Sequence, residues 1–204
     1  MAEDKSQGFV GWLKQPNSLV ALSAAIVSLS TFFLVYENPG KLKVVLPVEV
    51  GLKLRGEKLE LIVPLTLTNT GAPRTSRHVV TLLAELRPQS DQRAEPLVLQ
   101  WRSEWKFVGY LEFNKRYPGK GEPGVEDYIE YVSRAAPFAV VGGQSISKVV
   151  VFEQKGGAVD NKVLGEFRLN VTAQTENGRF KQAAAFSCGM KKIGGGVFDW
   201  CERR

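Results

Sequence analysis

The stretch LKVVLPVEVGLKL, Leu42 to Leu54, decides the fold. Its even positions, Leu42, Val44, Leu46, Val48, Val50, Leu52 and Leu54, are all apolar, and most odd positions are polar, proline or glycine. A period of two puts one set of side chains on one face, so the pattern predicts a half-buried strand rather than a helix. RGEK then makes a polar turn, and LELIVPLTLTN resumes with Leu59, Leu61, Val63, Leu65 and Leu67 on one side. Two such runs around a turn read as an antiparallel pair. Pro47 and Pro64 have no N–H to give to a ladder, which predicts edge positions or bulges there.

Downstream the same period recurs. Asn69-Thr70-Gly71-Ala72-Pro73 reads as a loop, and HVVTLLAEL as a third strand with Val80, Leu82, Ala84 and Leu86 facing inward. In LVLQWRSEWKFVGYLEF the odd positions Leu97, Leu99, Trp101, Ser103, Trp105, Phe107, Leu111 and Phe113 form a mostly apolar stripe, with Gly109 as a bend. Such a stripe reads first as core and second as a binding face. FNKRYPGKGEPG, 113–124, is turn-rich and basic, which predicts an exposed loop. VEDYIEYVSRA carries Val125, Tyr128, Ile129 and Val132 at helical spacing, so a short amphipathic helix is expected. SISKVVVFEQ, GEFRLNVTAQT and RFKQAAAFSC give further strands, the last two joined by Glu176-Asn177-Gly178, a hairpin signal. About seven or eight strands with regular turns predict a mainly β, antiparallel β-sandwich with one short helical insertion.

Upstream lies SLVALSAAIVSLSTFFLVY, Ser18 to Tyr36, with no charge. As a helix it spans ~28 Å, close to the ~30 Å hydrocarbon core of a bilayer. Its polar members, Ser18, Ser23, Ser28, Ser30 and Thr31, are all hydroxyls that can bond their own backbone, and no charged face exists. The exit FFLVYENPG lacks a small-residue cleavage site, which favours an uncut transmembrane anchor over a signal peptide or a buried helix. Trp12 and Tyr36 supply an aromatic at each interface. The organisation expected is a short tail over 1–14, a single transmembrane helix over 15–37 and a β domain over 41–204 with an insertion at 113–136. Lys5 and Lys14 precede the span, and Lys41, Lys43 and Arg55 follow it, so charge alone slightly favours the reverse of a secreted domain. Long domains translocate largely regardless of charge, and the strand-rich, two-cysteine domain favours C-terminus outside.

The 204 residues carry a net charge of +6, yet the lysines and arginines are scattered without a like-charge run, so no nucleic-acid partner is indicated. Attraction to anionic lipid is the other meaning of that sign once an anchor sits at a bilayer. Cys188 and Cys201 match no zinc spacing, and the one histidine, His78, cannot complete a metal cluster. Either they form a disulfide closing the C-terminal segment or they are two unrelated thiols; an oxidising compartment favours the disulfide.

A resemblance accompanies this reading. A strand ending in LTLTNTG, then VVTLLAEL, VVGGQSISKVVVF and GEFRLNVTAQTENGRF, resembles bacterial immunoglobulin-like accessory domains of the cell-adhesion-related (CARDB) type. The likeness runs over roughly 57–187, interrupted between Pro88 and Pro137. It implies an immunoglobulin-like sandwich used in extracytoplasmic interaction, without a shared catalytic site.

Three common enzyme signatures are missing: the sequence has no G-x-S-x-G elbow, phosphate loop or H-E-x-x-H. No catalytic, cofactor or metal site is therefore expected. Glu122, Glu126, Asp127 and Glu130 are the densest acidic group; on a helix Glu126 and Glu130 would be neighbours able to share a cation, though a solvated face is the plainer reading. Lys115, Arg116, Tyr117 and Lys120 would make a protruding partner-binding loop. The sequence thus predicts a membrane-anchored interaction or accessory module with a protein or envelope partner, in a bacterial inner membrane with its domain facing the periplasm. The alternative is a membrane-bound enzyme using Glu126, Asp127 or Glu130 with His78.

Overall fold

A computed structural model of the chain describes residues 16–38, 40–55, 58–91, 93–107, 129–154, 165–189, 192–193 and 196–204. The alternating run at 42–54 forms strand in two pieces, β1 (Leu42–Val45) and β2 (Glu49–Arg55). Both lie antiparallel to β3 (Lys58–Asn69), but their registers disagree: Val45 pairs Thr66, whereas Gly51 pairs Ile62. The break falls where Pro47 and Pro64 stand, residues that cannot donate to the ladder. It turns Val48 outward, 72% exposed, against the inward position its period predicts.

The remaining strands are β4 (Ser76–Pro88), β5 (Leu97–Phe107), β6 (Ile129–Arg134), β7 (Phe138–Val141), β8 (Ser145–Gln154), β9 (Glu166–Thr175), β10 (Gly178–Ser187), β11 (Lys192–Ile193) and β12 (Gly196–Arg203). All strand pairings are antiparallel. They run β5-β8-β3-β2-β12-β10-β9-β4, and Leu83–Leu86 of β4 returns to pair Leu97–Gln100 of β5, so the sheet closes on itself. β6 extends from β5, β7 from β4, β1 lies beside β3 and β11 beside β12. Twelve described strands exceed the seven or eight read from the sequence: the 42–54 run is divided in two, and β6, β7, β11 and β12 form where no strand was read.

Alternate residues of the ring fill one core. Leu59, Leu61, Val63, Leu65 and Leu67 of β3, Leu82, Ala84 and Leu86 of β4, Val150 and Phe152 of β8, and Phe167, Leu169, Val171 and Ala173 of β9 are all buried there. Burying each Leu, Val or Phe contributes about 1.5–3 kcal/mol, which is what the alternation encodes. Val80 departs from the predicted set: it is 45% exposed and Val79 is buried instead, because the β4–β9 register shifts between Val79 and Thr81. The hairpin at Glu176-Asn177 forms, with Gly178 opposite Thr175.

The expected helix at 125–135 is corrected where it is described. Ile129–Arg134 is strand β6, paired along β5 from Phe107 to Ser103. Its β-branched and aromatic residues suit a pleated edge, and β5 offers ladder groups that a helix could not satisfy. Residues 125–128 lie outside the described residues, as do the 1–14 tail and most of the 113–136 insertion.

Ahead of the β domain, helix α1 (Pro16–Phe32) runs into a π-type turn at Phe33–Glu37. The window Leu19–Tyr36 is long and apolar enough to cross a membrane, and none of it is buried against the domain. Ser23 Oγ donates to Val20 O at 2.8 Å and Thr31 Oγ1 to Val27 O at 2.7 Å, so these hydroxyls are satisfied within the helix.

Candidate functional site

The aromatic stripe of β5 does not stay on one face. Trp101 pairs Phe152, but the next matched pair is Ser103 with Val151, leaving Arg102 as an extra residue. A bulge of one residue reverses the alternation beyond it. Leu99 and Trp101 therefore enter the core, while Trp105 and Phe107 emerge on the outer face.

There Trp105 packs with Ile62, Val149 and Val151 in an apolar cluster separate from the core, joined by Trp200. Trp105 Nε1 donates to Ser103 Oγ at 2.8 Å, which fixes the indole in place. Tyr131 meets it edge-on, with ring centroids 6.0 Å apart, and Phe107 lies 6.1 Å from Trp200. Beside this cluster runs a groove of about 560 Å³, lined among others by Val45, Pro64, Trp105, Phe107, Val132 and Val149. The β1–β2 break borders it, through Leu46, Pro47, Leu65 and Thr66. Val45, Phe107 and Val132 are about half exposed, 49%, 48% and 52%. Polar groups at its margin are paired: Lys148 with Glu104, and Lys106 with Glu130 at 3.1 Å. Lys148 Nζ also sits 4.6 Å from the Phe138 ring centroid.

A second arrangement joins helix α1 to the domain. Asn38 O accepts from Ala72 N at 2.7 Å, Arg77 Nη2 donates to Gly40 O at 2.8 Å, and Lys41 N donates to Thr70 Oγ1 at 3.0 Å. Gly40 adopts φ +58°, and a Cβ there would lie 2.0 Å from Gly71 N, so only glycine fits. The Arg74 guanidinium lies 5.1 Å from the Tyr36 ring centroid, a cation–π contact at the end of the apolar helix.

The residues singled out in the sequence fare as follows. Lys115, Arg116, Tyr117 and Lys120 lie outside the described residues, as do Glu122, Glu126 and Asp127. Glu130 stands on strand β6, so the helical Glu126–Glu130 pairing is overturned at its described member. His78 is exposed on β4, 3.2 Å from Ser76 Oγ, and β4 does not pair with β6. Among the described residues no group of three or more His, Cys, Asp or Glu could hold a metal ion. Cys188 and Cys201 are joined as a disulfide. The outer groove escaped the sequence reading because period two does not reveal a bulge.

The chain matches no protein-family model, no curated protein and no solved structure.

Proposed function

We propose that the protein is a single-pass, membrane-anchored interaction module whose β domain, a closed variant of the immunoglobulin-like sandwich of the CARDB type, works outside the cytoplasm of a bacterium. Its partner is a protein held in or at the same membrane. The observation that carries this is the outer groove: half-exposed Val45, Phe107 and Val132 beside Trp105, on a face that the core does not need. Half-exposed apolar side chains gathered at a groove are the usual anchor points of an interface. Position supports the same partner. Val45 and Thr66 stand only a few residues from Lys41 and Thr70, where the anchor meets the domain, so a membrane-held protein can reach the groove. The disulfide supports an oxidising compartment.

Site-specific photocrosslinking in intact membranes tests the proposal. A crosslinker at Phe107 is expected to label one discrete membrane protein, and one at Arg168, exposed on β9, is expected to label none. Equal labelling from both positions, or none from Phe107, would reject the groove as the interface. Protease protection of intact vesicles tests the orientation; digestion from the cytoplasmic side alone rejects an outward-facing domain.

A further inference from the structure

The topology gathers a set of cations that the sequence scatters. At the end of the domain where the span arrives stand Lys41 and Lys43, the 70–75 loop with Arg74, the first residues of β4, the Gly142–Gly143 turn, and the β9–β10 hairpin. Through 37–45, 66–80, 138–147 and 172–181, the segments that build this end, the charged residues are Lys41, Lys43, Arg74, Arg77, Arg179 and Lys181 against two carboxylates, Glu37 and Glu176. Lys181 is committed to Glu85 at 3.0 Å, and Arg77 to the Gly40 carbonyl. Lys41, Lys43, Arg74 and Arg179 are exposed, and among the described residues none of these four is paired with a carboxylate. The opposite end mixes cations with carboxylates. There Lys58 and Arg102 share Glu153, and Arg204 pairs Glu166.

We propose that this anchor-side rim is a binding surface for the anionic phospholipid headgroups of the membrane that α1 crosses, with Lys41, Lys43, Arg74 and Arg179 as the contacting cations. The inference rests on the anchored reading above and adds the lipid chemistry and the pose. A rim with four exposed cations around the helix exit, with Arg74 packed on the last aromatic of the span, complements phosphate-bearing headgroups at the depth where Tyr36 would sit. The junction makes such contact specific rather than incidental. Asn38, Gly40 and Lys41 are bonded to the 70–77 segment, so the rim cannot swing away from the helix as it would on a loose linker. A nucleic acid would fit the sign but not the place, since the cations surround the helix exit instead of lining an open groove.

The test uses the full chain in nanodiscs of mixed phosphatidylglycerol and phosphatidylcholine. Lipids that stay bound after transfer to detergent are counted by native mass spectrometry. Enrichment of phosphatidylglycerol over the disc composition is expected, falling by roughly fivefold for each removed cation and lost in K41Q/K43Q/R74Q. K41R/K43R should keep the enrichment, which separates charge from fold. Hydrogen exchange at 70–75 is expected to slow in phosphatidylglycerol discs, with the effect reversed by salt. Retention of the two lipids in proportion to the disc, or unchanged enrichment in the triple glutamine variant, overturns the proposal while leaving the anchor standing. A chain that fails to enter discs at all overturns the anchored reading, and this one with it.

Discussion

Asn69 shows how much a single buried side chain organises. It is fully buried, its Nδ2 donates to Val140 O at 3.0 Å, and its Oδ1 accepts from Gly71 N at 2.9 Å. Its backbone reaches the same turn, donating to Gln144 O at 3.0 Å and accepting from Gly143 N at 2.8 Å. One residue therefore ties the end of β3 to the β7–β8 turn and shapes the loop that meets the segment after helix α1. Asn69→Ala would leave a buried carbonyl and an amide without partners, and is expected to cost about 2–6 kcal/mol, two unsatisfied groups at the usual penalty. Denaturant unfolding of the full chain measures it; a loss under about 0.5 kcal/mol would show that water replaces both bonds. Gly40 poses a local question of a different kind. Gly40→Ala must both hold a positive φ and displace Gly71, so the junction is expected to open. The readout is the distance distribution between spin labels on Leu29 and Thr172: broad in the variant, narrow in the native chain. Equal widths would mean that the bonds around Asn38 do not set the pose.

At the scale of the element, the strand β5 decides which face is core and which is surface. The Arg102 bulge sends Leu99 inward, fully buried, and Phe107 outward, 48% exposed. Leu99→Ala is expected to cost about 2–5 kcal/mol through the cavity it leaves, whereas Phe107→Ser is expected to cost under about 1 kcal/mol, as a surface change. Thermal unfolding of the two variants compares them directly, and similar losses would put Phe107 in the core. This element also marks the limit of sequence reasoning. The alternation at 42–54, 59–67 and 166–173 is legible because the buried side chains there are apolar and each run is long. What alternation cannot announce is a register shift, so the stripe from Leu97 to Phe107 read as one face and Val80 read as inward. Ile129–Arg134 misled for another reason. Six residues satisfy a helical and a strand pattern about equally, and the neighbouring ladder of β5 made the choice. The cationic rim was illegible because Lys41, Arg74 and Arg179 are far apart along the chain; only the pairing of β1, β4, β9 and β10 with their neighbours brings them together.

For the whole molecule, the question is what keeps the ring of strands shut. Most neighbours share long ladders, such as the ten matched residues between β9 and β10. The seam between β10 and β12 is the exception, with only Phe186–Arg203 and Ser187–Glu202 paired. β12 carries the end of the chain and is otherwise held by β2, along Val197–Glu202. Cys188, just past β10, is bonded across this short seam to Cys201, which is fully buried in β12. The covalent link thus stands where the ladder is weakest, and it closes a loop of 13 residues in sequence separation. In the chain-entropy model a loop of that size stabilises by about 3 kcal/mol, by restricting the unfolded chain. Replacing both cysteines with serine also puts a hydroxyl into the core at position 201, so C188A/C201A is the cleaner variant and is expected to lose about 2–4 kcal/mol. Adding reductant to the native chain should produce most of the same loss. Unfolding followed by denaturant, with and without reductant, measures both. If reductant shifts the native midpoint while the alanine variant unfolds at the native value, packing has replaced the bond. If neither treatment shifts it, the seam is held by the β2–β12 ladder alone. The expected pattern, equal losses from reduction and from substitution, makes the disulfide the closure of the barrel of strands and ties the protein's stability to an oxidising surrounding.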